Sequence, residues 1–176
     1  MEFTDLVERK LLSLNLLNTG THPAWVDGRT PQIATYAANL ELAESMSMQV
    51  RPCEVPIPNK YPALGIEMID WTEPPGVQCW PGAPEFAVFI PAEVAPFLPA
   101  TISGIRLWDS MGEGPVSALD LLLSTSPTLT LRHVFPPMML GLDIHPEGRA
   151  PCSLGADMQP QNAASRHWLR AGQPQR

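Results

Sequence analysis

Lysine occurs only twice in this 176-residue chain, at Lys10 and Lys60, and charged residues of both signs together make up just 16% of it. Disordered chains carry few apolar residues and many charges; here 44% are apolar, so most of the chain folds. Cysteine is also sparse. Cys53, Cys79 and Cys152 are odd in number and widely spaced, which argues against a disulfide framework and fits a reducing compartment. No apolar run approaches the roughly 18–20 residues of a membrane-spanning helix. The first residues, MEFTDLVERK, place three acids before any base, unlike a secretory leader. The expectation is a cytoplasmic protein with no membrane association.

Proline is abundant instead, with 21 residues and no repeat period. Eleven of them fall between Pro52 and Pro99, separating short apolar runs. The net charge of −7 is uneven. Residues 1–145 carry 7 Lys/Arg against 16 Asp/Glu, whereas residues 146–176 carry 4 against 2. An acidic body repels phosphate backbones, so direct nucleic-acid binding is not expected.

Phe3, Leu6, Val7, Leu11, Leu14 and Leu17 recur at three- and four-residue spacing, predicting an amphipathic helix over 4–17. Thr30-Pro31 followed by Ile33, Ala34, Ala37 and Leu40 predicts a second helix reaching about Met46. Beyond Arg51 the runs are four to eight residues long and bounded by Pro or Gly, as strands are. They cover Leu64–Trp71, Val77–Trp80, Phe86–Ile90, Thr101–Trp108 and Thr128–Phe135, with Met138–Ile144 able to pair with the last; Ser117–Leu123 reads equally as helix or strand. The fold expected is α+β: two N-terminal helices, then a mostly antiparallel sheet of proline-bounded strands. A single domain over 1–145 is followed by a polar, weakly basic, irregular tail over 146–176.

Chemistry-bearing motifs are absent. The four histidines and three cysteines show no CxxC, HExxH or paired spacing, so neither a metal nor a cofactor is expected. Cys79 with His133 as its base is the only nucleophile pair the sequence offers. A free cysteine without an electropositive setting is ordinarily buried and inert. The near-pairs Asp70/Glu73 and Asp109/Glu113 could divide acid and base roles, but strand ends and turns are where solvated acids usually sit. No catalytic residue is assigned.

Aromatics point elsewhere. Trp80 and Pro81 in the CWPGAP stretch, nearby Phe86, and Trp168 in the tail are candidates for contact with another protein, because tryptophan is enriched at binding hot spots. The reading is a non-enzymatic, regulatory or inhibitory protein-binding domain, with self-association among the modes open to it. Its alternatives are an accessory subunit of a larger assembly and an enzyme using Cys79 and His133.

Overall fold

Ala38-Asn39-Leu40-Glu41-Leu42 alternates apolar and polar residues without a break, and the backbone follows that period of two. The computed structural model describes residues 2–18, 33–71, 87–109, 112, 114–134, 139–146 and 168–170. Eleven strands occur among them: β1 (Lys10–Asn18), β2 (Ile33–Thr35), β3 (Ala37–Leu42), β4 (Met46–Val55), β5 (Ala63–Asp70), β6 (Ala87–Phe89), β7 (Ala100–Trp108), β8 (Ala118–Leu123), β9 (Thr128–Val134), β10 (Met139–His145) and β11 (Trp168–Arg170). Every pairing is antiparallel. The helical content described consists of two 3-10 turns, Phe3–Leu6 and Ala95–Phe97.

The α+β expectation is therefore overturned: the two N-terminal helices are strands. The reason is local in each case. The β1–β3 register shifts between Leu11 and Ser13, a bulge that brings Leu11 and Leu14 into the same core although three residues separate them. That spacing imitates a helix. Further on, Ser13, Leu14, Asn15 and Leu16 resume strict alternation. Residues 33–42 bend at Tyr36, whose N–H joins Leu17 O at 2.8 Å, so Ala37 and Ala38 are both buried on opposite faces. Alanine and leucine favour helices only weakly, and sheet packing overrides that preference. Ser117–Leu123, open between helix and strand, holds β8. Val77–Trp80 lies outside the described residues.

The bend at Tyr36 organises the sheet. Before it, β2 pairs with β10; after it, β3 pairs with β1. Since β1 also pairs with β7, and β7, β8, β9 and β10 pair in succession, the path of paired strands comes back to residues 33–42, where the chain itself joins β2 to β3 at Tyr36. Within this ring Leu14, Leu16, Leu40, Leu119, Leu121, Leu129, Leu131, Leu140 and Leu142 form one core, all fully buried. Burying each such side chain stabilises the fold by about 1.5–3 kcal/mol.

β4 and β5 extend from the outer edge of β3 as a hairpin. Met48, Val50 and Ile66 complete the core from it. Past Val50 the ladder with β3 ends, and β4 continues with β5 alone. Pro52 sits there without penalty. Its partner Ile66 turns its N–H away from β4 to Val116 O at 2.7 Å, so the two form a pair that exchanges no bonds. The same contact explains Gly65. A Cβ at that position would stand 3.1 Å from Val116 O and 3.3 Å from the Pro115 Cβ. Gly65→Val is expected to lose about 1–3 kcal/mol by overpacking; urea unfolding measures it, and an unchanged midpoint would show that the hairpin does not rest on residues 115–116.

Candidate functional site

Of the contact residues expected from the sequence, Trp80, Pro81 and Phe86 lie outside the described residues, as does Cys79. Trp168 opens β11, with its backbone opposite Arg106 of β7. His133 lies on β9 opposite Leu140. Burial lowers its pKa from 6.5 to about 4, and its Nε2 has no hydrogen-bond partner among the described residues. Asp70 is exposed at the end of β5, whereas Asp109 is buried and its Oδ2 accepts the Gly114 N–H at 2.7 Å, closing a turn. The second members of both carboxylate pairs, Glu73 and Glu113, are outside the described residues. Burial, with Glu67 nearby, raises the Cys53 thiol pKa, the reverse of what a nucleophile needs. Among the described residues no three His, Cys, Asp or Glu side chains gather to hold a metal.

A polar network that the sequence reading missed lies on the outer face of β7–β10. Strand register aligns Arg106, Asp120, Thr130 and Asp143 in one row across four strands, with Trp108, Ala118, Arg132 and Gly141 in the next. Asp120 is the hub, with only 1% of its side chain exposed. Its Oδ1 accepts the Thr130 hydroxyl at 2.8 Å, and its Oδ2 accepts the Trp108 indole N–H at 2.9 Å. The Arg106 guanidinium lies 3.9 Å from the same oxygen and 5.1 Å above the Trp108 ring. In parallel, Arg132 donates to Asp143 Oδ2 at 2.8 Å. Burial raises the Asp120 pKa, opposed by the Trp108 and Thr130 hydrogen bonds and by the nearby charges of Arg106 and His145. The signal for this hub was present: a single acid inside the apolar run Ala118-Leu-Asp-Leu-Leu-Leu123. Its partners come from two other strands, β7 and β9, so spacing along the chain could not connect them.

The network is an internally matched set of charges, while the tip of the β4–β5 hairpin is turned outward. Val55 and Ala63 form the last pair, and residues 56–62 make the loop. Lys60 N–H bonds Ile57 O at 3.2 Å, with Pro58 and Asn59 between them and Asn59 at φ 62°. Proline followed by a positive-φ asparagine is the signature of a type II turn. Pro56 and Pro62 flank it, so three of seven φ angles are set by rings. On this braced tip Tyr61 is 93% exposed, and Val55 at the strand end is exposed as well. Arg51 and Glu67 pair across the hairpin stem at 2.7 Å.

No family model, curated protein or solved structure matches the chain. None of its described helical segments is long and apolar enough to cross a membrane.

Two outcomes follow from the buried polar groups. Asp120→Ala is expected to cost about 3–5 kcal/mol in chemical denaturation, because Arg106 loses its counter-charge and two donors lose their acceptor; a loss below 1 kcal/mol would mean that solvent replaces the carboxylate. His133 is held neutral in the fold but takes a proton near pH 6.5 once unfolded. Its contribution is present above that pH and is lost as the pH falls from 6.5 towards 4. In His133→Phe the urea midpoint should lose that part of its decline between pH 7 and pH 4.5.

Proposed function

We propose that this chain is a protein-binding domain that presents the β4–β5 hairpin tip to its partner. The observation that carries the reading is Tyr61, an aromatic side chain 93% exposed at the end of a proline-braced loop. A large ring held out in water gains nothing for the isolated fold, yet tyrosine is among the residues that dominate binding energy when a partner's pocket encloses them. The fixed φ angles of Pro56, Pro58 and Pro62 lower the ordering cost of association. Val55 beside it adds apolar area, and Lys60 adds one positive charge on a predominantly acidic chain. A partner matching this tip has an apolar pocket that encloses the Tyr61 ring.

The leucine core belongs to the scaffold in this reading, and regulation or inhibition is exerted by occupying the partner's pocket. Capture from the native host with the wild-type chain and with Tyr61→Ala tests it. The wild type should retain one saturable partner that Tyr61→Ala retains at least about 30-fold more weakly. The variant's own stability should change by no more than about 0.5 kcal/mol, as for other exposed positions. Equal retention by the two proteins removes the hairpin tip from the interface.

A further inference from the structure

The edge of β7 is completed by two different strands. On one side β7 pairs with β8 from Ile102 to Trp108. On the other, β1 reaches only Ala100 and Thr101, after which Glu8 N–H bonds Ile102 O at 2.8 Å and Ile102 N–H bonds Arg9 O at 2.9 Å. There β1 stops and β11 takes its place, with Arg170 opposite Gly104, Leu169 opposite Ile105 and Trp168 opposite Arg106. Without β11, the backbone N–H and C=O groups along Gly104–Arg106 would form an open edge next to the buried Asp120 network. Open edges invite pairing with another chain.

β11 is only three residues long, and 22 residues (146–167) separate it from the end of β10. Each backbone hydrogen bond of so short a ladder contributes about 1 kcal/mol. The strand therefore occupies its edge largely because it belongs to the same chain. A 22-residue connection can span up to roughly 70 Å, enough to reach a neighbouring molecule. The register that residues 168–170 find on their own β7 is offered identically by a second copy.

We propose that the β7 edge is a strand-exchange site, at which residues 168–170 of a second copy replace those of the same chain in a reciprocally exchanged dimer. Every backbone bond of the monomer is remade in the dimer, so only the entropy of association opposes exchange. Intramolecular attachment sets the concentration to be matched, on the order of 1 mM. This proposal is independent of the hairpin tip and of any partner it takes.

Light scattering on the full chain, at about 10 μM and after incubation at about 1 mM, tests it, together with hydrogen exchange. The wild type should be monomeric at the lower concentration and form dimers at the higher one. Leu169→Pro, which removes the amide of the central β11 residue, should be monomeric at both. In that variant the Gly104–Arg106 amides should exchange at least about 10-fold faster, whereas in the wild-type dimer they stay as protected as in the monomer. A wild-type chain that is monomeric at both concentrations overturns the proposal without reference to any variant. A dimer that Leu169→Pro forms equally well overturns it too, as does a variant whose edge amides remain protected.

Discussion

The change of partner at Tyr36 is the constraint on which the rest of the structure depends. Because one continuous stretch, residues 33–42, pairs with β10 before the bend and with β1 after it, β1, β7, β8, β9 and β10 are joined through it into a ring, with β4 and β5 outside that ring. The Leu17 carbonyl accepts both the Tyr36 N–H and the Thr35 hydroxyl there, so the bend is satisfied on its polar side. Closure gives the inner face no water to meet. That is why strand after strand places leucine inward, and why the leucines of β1, β3, β8, β9 and β10 form a single cluster.

A sheet whose inside is apolar but for His133 must concentrate its polar chemistry outside, and here that chemistry is matched with unusual economy. Arg106 and Arg132 are only 14% and 11% exposed, and each meets a carboxylate on the adjacent strand. Removing charges from water this far is expensive unless they are paired and hydrogen-bonded. Asp120 meets that demand with the Trp108 indole and the Thr130 hydroxyl in addition to Arg106. Such a network specifies which residues of β7, β8 and β9 stand opposite one another, since a slip of one residue would bury unpaired charges. Its value is register. What points outward is the β4–β5 hairpin, freed from β3 beyond Val50, and the recognition proposed for this chain rests there.

Much of the chain beyond Arg51 could be read from periodicity. β5, β9 and the pairing of β9 with β10 lie where proline-bounded alternation puts them. The N-terminal third misled, because a bulge after Leu11 and a bend at Tyr36 each break the two-residue period and leave apolar residues three or four apart. A helix and an interrupted strand share that spacing. The sites divide in the same way. Tyr61 in its Pro-x-Pro-Asn-Lys-Tyr-Pro loop is contiguous in sequence, yet the tryptophans carry the stronger compositional signal for binding. The Asp120 network is assembled from four strands and has no contiguous signature.

Composition alone determined that this chain folds, that it is acidic, and that its prolines end strands instead of dissolving them, because those properties are sums over residues or restrictions on single φ angles. Which apolar residues face inward, and that the described residues form an antiparallel sheet instead of helices packed on one, was decided by tertiary structure. Hydrogen bonds between segments far apart in sequence, at Tyr36 with Leu17 and at Ile66 with Val116, outweigh the few tenths of a kcal/mol per residue by which leucine and alanine prefer a helix.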